Sequence, residues 1–482
     1  MSVLGHLQPA SVFSWFEELC KIPHGSGNTA AISDFCVRFA KERGLRVHQD
    51  EVGNVIIYKP ATPGYEAAPT VIIQGHLDMV AEKVPGCPLD MEKEPLQLRV
   101  DGDWVSAEGT TLGGDDGIAV AMALAVLDSS DLEHPALEAV FTIDEETGME
   151  GAIALDGNLL EGRRLLNIDS EEEGILTVSC AGGADSLVDI GLDVEPCEWN
   201  ANRLVSSGLV GGHSGAEIDK GRASAVVLLG RVLQELFDRV PMRVVSAVSG
   251  MKANAIPSHA EAVLALAEAD FEKAQAVLSE MQSTLRAEYA VADPNITLTL
   301  TPEGKAASAL TEHSTRRVCA FLCLAPNGVA AMSMDIPGLV QTSDNLGIFR
   351  VENGRLTGTF SVRSSVATQK QMLLTRIRLL CEGLDGTATN TSSYPAWEYR
   401  RESPLRDVMV KVFAAQYGYE PKVEAIHAGL ECGLLSGKLP GLDAVSFGPD
   451  LKDIHTPRER MSISSVARTW QYLTAVLREL RQ

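Results

Sequence analysis

Three features of this 482-residue chain predict an α/β fold with a mixed, mostly parallel sheet, interrupted by an inserted α+β domain. At both ends of the chain, β-branched runs alternate with stretches of helical apolar spacing, the pattern of helices packed on a largely parallel sheet. Between them the order changes to β-α-β-β-α, which predicts an antiparallel sheet. Several early strands end in acids or a histidine, and α/β sheets bind ligands at their carboxyl strand ends.

Residues 9–20 and 27–44 show helical apolar spacing and stop near Gly44, a plausible C-cap. NVIIYK (54–59) and TVIIQGH (70–76) read as buried strands. LGGDDGIAVAMALAVLD (112–128) is a glycine turn running into an Ala-rich helix. LEAVFTIDEET (137–147) and RLLNIDS (164–170) read as strands ending in acids. After ILTVSCAGGAD (175–185) come RLVSSGLVGGHSG, a helix from about Asp219 to Asp238, MRVVSAVSG, AEAVLALAEA and a second helix from Asp270. A helix near 308–323, the strand GRLTGTFSVRS (354–364), a helix from 367 and a YPAW turn complete the insert. From Pro404 the α/β pattern resumes with KVEAIH, GLECGLLSG, DAVSFG, a loop carrying His455 and a last amphipathic helix. The boundaries read as 1–182 with 397–482 for a discontinuous domain and 183–396 for the insert.

Composition excludes several classes. A net charge of −24 repels nucleic acid and anionic lipid, so neither is an expected partner. No run approaches the ~18 apolar residues that span a bilayer. MSVLGHLQPASVFSWFEEL has no basic n-region and no small-residue cleavage site, so no signal peptide is expected. Nine scattered cysteines without a C-x-x-C point to a reducing compartment, and the expected location is cytoplasmic. Cys36, on an apolar helical pattern, reads as core.

Five short pieces supply a set of metal-ligating side chains: His76 and Asp78 in GHLDMV, Asp115 in GGDDG, Glu145 and Glu146 in DEETG, Asp169 in NIDS and His455 in DIHTP. Together they offer two imidazoles, a carboxylate able to bridge, two terminal carboxylates and a spare one for proton transfer. Two divalent cations about 3.5–4 Å apart need such a set to activate water. Each piece alone has a plainer reading. His76 and Asp78, two apart at a strand end, face the same way and could be a buried structural pair. Asp115 could cap the following helix. Glu145 and Glu146 could be solvated loop acids; on extended chain they would point opposite ways, one to metal and one to the substrate water. Asp169 follows the apolar LLNI more closely than a surface acid should, whereas Glu171, Glu172 and Glu173 fit a surface run. His455 becomes a ligand only because the set lacks a second imidazole. In the insert, His213 of GGHSG fits a turn histidine as readily as a carbonyl-polarising one. Arg363 of SVRSS likewise fits a surface ion pair or a carboxylate clamp.

These motifs resemble those of the bacterial aminoacyl-histidine dipeptidases (Xaa-His dipeptidases, peptidase D), in the co-catalytic zinc peptidase clan that also holds carnosinases. The match runs through GHLDMV, GTTLGGDDGI, DEETGM, NIDSEEEG, CAGG, GGHSG, NAIP, IHAGLECGL and the His455 loop. TTLG, DSEEEG and IHAGLECG are specific to this branch.

The resemblance implies a di-zinc catalytic domain, a lid and dimerisation insert, and hydrolysis of small unblocked dipeptides of the Xaa-His type. It implies two zinc ions per subunit, with manganese or cobalt as substitutes, and a homodimer. His76 and Asp169 would hold one zinc, Glu146 and His455 the other, with Asp115 bridging. Glu145 would be the general base and Asp78 would orient His76. His213, from the same chain or a dimer partner, would stabilise the oxyanion. Arg363 and Asn254 would hold the substrate carboxylate and Glu431 its free amine; Cys432 is given no chemistry. The family often has Asn where Asp116 stands, and the resemblance implies a cis Asp115–Asp116 peptide. An N-acyl amino acid deacylase and a non-catalytic peptide-binding protein are the rival readings.

Overall fold

The computed structural model describes residues 2–481, which form two compact units. One comprises residues 2–180, 399–425 and 430–481; the other comprises Ala181–Glu398 and Ile426–Gly429.

The first unit is built on an eight-stranded sheet. Its order is Arg46–Gln49, Val55–Lys59, Leu137–Thr142, Val71–His76, Arg164–Asn167, Asp443–Ser446, Ile175–Cys180 and Lys422–Ile426. The four central strands, Leu137–Thr142 through Asp443–Ser446, run parallel. Antiparallel pairs flank them on both sides. The sheet is therefore mixed and parallel at its centre, as the sequence predicts. Every residue of Val71–His76 and Leu137–Thr142 is buried, which explains their near-continuous apolar runs.

Helix Ala10–Leu19 buries Val12, Phe13, Phe16 and Leu19, one stripe of a 3.6-residue period. Helix Gly114–Asp128 is buried all round from Gly117 to Leu127, and its many alanines allow that. The C-terminal helix Ile463–Glu479 again buries one stripe, including Val466, Leu473 and Val476. A small sheet of Leu98–Asp101, Trp104–Ala107, Arg460–Ser462 and Leu451–Lys452 is an addition that sequence pattern does not reveal. It matters because Leu451–Lys452 and Arg460–Ser462 pair antiparallel and clamp both ends of the His455 loop.

The second unit carries a nine-stranded antiparallel sheet. Asn200–Ser207, Ala260–Leu266, Met242–Ser249, Val340–Glu352, Arg355–Ser364 and Gly182–Gly191 are neighbours in that order. Its core takes residues from helices Ala225–Arg239, Phe271–Glu288, Glu312–Leu324 and Ala367–Gly383. Phe321 meets Phe349 and Phe360 at centroid distances of 6.2 and 6.1 Å, and each such buried ring contributes about 3–5 kcal/mol.

Several boundaries depart from the sequence reading. The helix expected from Asp219 begins at Ala225, because Gly221 takes a left-handed φ of 67° and interrupts the chain first. The strand expected to reach residue 147 stops at Thr142. Glu145 and Glu146 then sit in a single helical turn, Glu145–Gly148, not on extended chain. Their side chains diverge by about 100°, not 180°. Glu173 is no free surface acid: Arg468 grips both its oxygens at 2.7 and 2.5 Å, and the Tyr417 hydroxyl donates at 2.7 Å. No helix among the described residues is long and apolar enough to cross a membrane. None of the nine cysteines is disulfide-bonded, and Cys36 is buried in the core.

Candidate metal centre

The central parallel strands end in register, and their ends carry the predicted ligands. His76 pairs with Thr142, and Gln74 pairs with Asn167. Each strand then delivers its residue: His76 at the last position, Glu145 and Glu146 after Leu137–Thr142, Asp169 after Arg164–Asn167. The fourth strand, Asp443–Ser446, leads toward the His455 loop. Asp144 and His455 both adopt left-handed backbone, with φ of 53° and 58°. Such conformations in residues other than glycine cluster where surrounding structure holds functional side chains in place.

Asp115 stands between the two imidazoles. Its Oδ1 lies 3.2 Å from His76 Nε2 and its Oδ2 lies 3.1 Å from His455 Nε2. Asp169 Oδ1 is 3.8 Å from the same His76 nitrogen, and Glu146 Oε1 is 2.9 Å from His455 Nε2. That glutamate oxygen is buried and, close as it lies to the imidazole, makes no hydrogen bond. Ligands about 2.0–2.1 Å from a tetrahedral zinc lie about 3.3–3.4 Å apart, close to these separations. Potential ligand atoms crowd within 4.8 Å of one another in two groups that share His76: one with Asp115 and Glu146, the other with Asp116 and Asp169. The donor set of imidazole nitrogen and carboxylate oxygen, and its excess of buried negative charge, fit divalent cations.

The electrostatics follow from crowding. Burial, reinforced by Asp116, pushes the Asp169 carboxyl well above its ordinary range. Burial likewise lifts Glu145 to about 7, with Glu431, Glu146 and Asp115 adding to it and His76 opposing. Burial works the same way on Asp115, but hydrogen bonds from His455 and His76 overcome it and hold that carboxyl low. Asp115 and Glu146 together raise His455 to about 10.

Asp78 acts on the Glu145–Gly148 turn as much as on the histidine. Its Oδ1 accepts the Glu145 N–H at 2.9 Å, and its Oδ2 accepts the Ser26 hydroxyl at 2.8 Å and the Glu146 N–H at 3.3 Å. His76 Nδ1 reaches the Asp78 backbone carbonyl at 2.9 Å, nearer than the carboxylate at 3.4 Å. Nδ1–H then donates to that carbonyl, which makes Nε2, now against Asp115, the nitrogen that would take a metal. The Asp115–Asp116 peptide is cis, as the resemblance implies. Asp116 is buried, and its Oδ2 accepts the His76 N–H at 3.2 Å. Gly75 makes room for it, since a Cβ there would lie 2.5 Å from that oxygen.

Three supporting groups escaped the sequence reading. Glu459 accepts the N–H groups of Leu112, Gly113 and Gly114 at 2.7, 3.1 and 2.8 Å, which fixes the turn that presents Asp115. Nothing in RERMS marks it. Gln74 donates to Glu431 Oε2 at 2.5 Å, and Asn167 donates to the Gln74 carbonyl oxygen at 2.5 Å. A glutamine inside VIIQGH and an asparagine ending LLN were the available signals, since polar side chains in buried strands must be paired. Glu431 is fully buried; Thr142 also donates to its Oε2 at 2.7 Å, and its Oε1 has no partner. Burial raises this carboxyl to about 7.

The second unit holds the remaining predicted residues. His213 is exposed, and its Nδ1 accepts the N–H groups of Gly215 and Ala216 at 3.2 and 3.1 Å. Its proton therefore sits on Nε2, pointing a donor away from the loop. Partial loss of solvent around the ring, and then the Arg363 charge, lower its pKa, which favours this neutral form. Arg363 Nη1 lies 3.4 Å from the Tyr394 hydroxyl, and its buried Nε has no hydrogen-bond partner. The Asn254 carbonyl accepts the Ser214 N–H at 2.9 Å.

A parallel sheet whose strand ends gather imidazoles and carboxylates in this way defines a metal-dependent hydrolase. The chain belongs to peptidase family M20/M25/M40, whose sequence model matches residues 72–479. It is 36% identical over 482 residues to the cytosol non-specific dipeptidase of Escherichia coli (strain K12), covering 100% of this chain and 99% of that one. The aminoacylhistidine dipeptidase of Vibrio alginolyticus superposes with a TM-score of 0.95 at 35% identity, over 99% of this chain and 98% of that one. Aminopeptidase PepT of Bacillus cereus shares the fold, with a TM-score of 0.57 at 16% identity over 99% of this chain and 100% of that one.

Proposed function

We propose that this chain is a cytoplasmic, homodimeric metallo-dipeptidase that cleaves small unblocked dipeptides, Xaa-His among them, at a two-metal centre. The observation that carries the reading is Asp115, whose two oxygens face one imidazole each, with Glu145 in the same buried field. The full-length relatives support the dipeptidase part: one is named non-specific, the other for aminoacylhistidine substrates.

His76, Asp169, Asp115, Glu146 and His455 would hold the cations. Zinc is the metal proposed, with manganese or cobalt as substitutes. Bound there, a cation pair lowers the pKa of water and polarises the scissile carbonyl. Glu145 takes a proton from the attacking water and returns it to the leaving amine, a task suited to a carboxyl poised near neutrality. Asp78 holds Glu145 and Glu146 by their N–H groups and keeps His76 Nδ1–H turned to its backbone. His213 Nε2–H would donate to the developing oxyanion, in the same chain or across a dimer. Arg363 and Asn254 would bind the substrate carboxylate. The first unit is catalytic in this account, and the second serves as lid and dimer surface.

Glu431 is assigned to the substrate amine. Its free oxygen is enclosed at the first turn of helix Glu431–Lys438, so that turn must shift for an ammonium to reach it. The test compares Gly-His, β-Ala-His and acetyl-Gly-His. Cleavage of only the free dipeptides is expected. Faster cleavage of the blocked peptide would make the enzyme a deacylase and remove this role from Glu431.

A further inference from the structure

The strand Val340–Glu352 lies against the turn 250–254, which carries Asn254. The approach is backbone on backbone. A Cβ on Gly347 would lie 2.3 Å from the Ala253 carbonyl oxygen, and one on Gly250 would lie 1.9 Å from the Gly347 oxygen. The strand pairing shifts register between Leu346 and Ile348, at this contact.

Asn345 sits beside it, 1% exposed. Its Nδ2 donates to the Ala253 carbonyl at 2.7 Å and to the Ala255 carbonyl at 2.9 Å. Those carbonyls flank Asn254. The reverse amide orientation would set Oδ1 against two carbonyl oxygens, so the donor assignment is forced. Its Oδ1 has no partner, a cost that the two donated bonds must outweigh. Beyond the turn, Ala255 pairs with His213, and Asn254 accepts the Ser214 N–H. At the other end of the turn Arg350 holds the Ser249 and Gly250 carbonyls, each at 2.7 Å.

We infer that Asn345 is a positioning residue for the reaction: through the carbonyls of Ala253 and Ala255 it sets where Asn254 and His213 stand. The inference rests on the proposed roles of those two residues. A displacement near 1 Å at a substrate-positioning group costs on the order of 100-fold in rate.

The test is a double-mutant cycle on the metal-loaded, full-length enzyme, with Asn345→Leu crossed against Asn254→Ala and against His213→Ala. Asn345→Leu alone should lower kcat/KM by about 10- to 100-fold, with metal content unchanged. Combined with Asn254→Ala or His213→Ala, it should add less than its own single effect, because both changes act on one unit. An Asn345→Leu enzyme as active as wild type, or a loss that multiplies in full with both partners, overturns the inference. If Asn345→Leu does not fold, Asn345→Ser, which admits a water, is read the same way. If Asn254→Ala and His213→Ala are themselves fully active, it is the proposed function that fails at these residues, and the inference falls with it.

Discussion

Replacing Glu459 by Gln probes how the Asp115 turn is held. The buried carboxylate accepts three backbone N–H groups at 2.7, 3.1 and 2.8 Å, with the Asp115 N–H a fourth at 3.4 Å. Hydrogen bonds to a charged acceptor are each worth about 1.5–3 kcal/mol, against about 0.5–1.5 for neutral ones. Gln can keep its oxygen toward Leu112 and Gly113, weakening each by about 1 kcal/mol. Its amide then faces Gly114 and Asp115 donor to donor, and the Gly114 bond is lost outright. The loss sums to about 3–5 kcal/mol, and relief of burying the charge offsets part, leaving about 2–4 kcal/mol. With a urea slope on the order of 3 kcal/mol per molar, the unfolding midpoint should fall by about 1 M. Metal affinity should fall with it, read by competition with a chromogenic chelator. A midpoint within 0.2 M (about 0.6 kcal/mol on that slope) and unchanged metal affinity would refute the claim that Glu459 positions Asp115.

His455→Ala removes one side of the Asp115 bridge. Bound metal, counted by mass spectrometry of desalted protein, should drop from two ions per chain toward one; two retained ions would contradict the ligand assignment. Glu173→Gln should cost about 1–2 kcal/mol at neutral pH, a value discounted for the half-exposed Arg468 partner. The partners Arg468, Tyr417 and Ser465 outweigh burial and hold the Glu173 carboxyl below its ordinary range. Its contribution is therefore present above the unfolded glutamate pKa and lost as pH falls through the lower folded value. Melting curves of variant and wild type should converge in acid, and a constant gap down to pH 3 would refute the ion-pair account.

The site was legible where ligands follow apolar strands. VIIQGH, VFTIDEE and LLNIDS each announce a strand and then a side chain that apolar surroundings alone would not tolerate. His455 was legible only by completing the set, because its loop is anchored by a small sheet whose strands are too short to show a period. Glu459 was not legible, since it caps a turn that lies 345 residues earlier in sequence at Gly114. The second unit is less legible. Val340–Glu352 carries QTSDN in its first half, and Gly386–Tyr394 reads TATNTSS, neither with the apolar alternation that marks a strand. Asn345 shows why such a strand is polar: its side chain serves a neighbouring turn and contributes little to the core.

The central claim is that metal held by these residues, with Glu145 as proton carrier, cleaves free dipeptides. Its most direct measurement is hydrolysis of Gly-His and β-Ala-His by metal-stripped protein, before and after adding zinc or manganese, with Glu145→Gln beside wild type. The account predicts no activity when stripped and recovery on adding metal. It predicts a Glu145→Gln enzyme that binds the same metal but turns over about 100- to 10,000-fold more slowly. Full activity in the stripped protein, or a Glu145→Gln variant as fast as wild type, would contradict it.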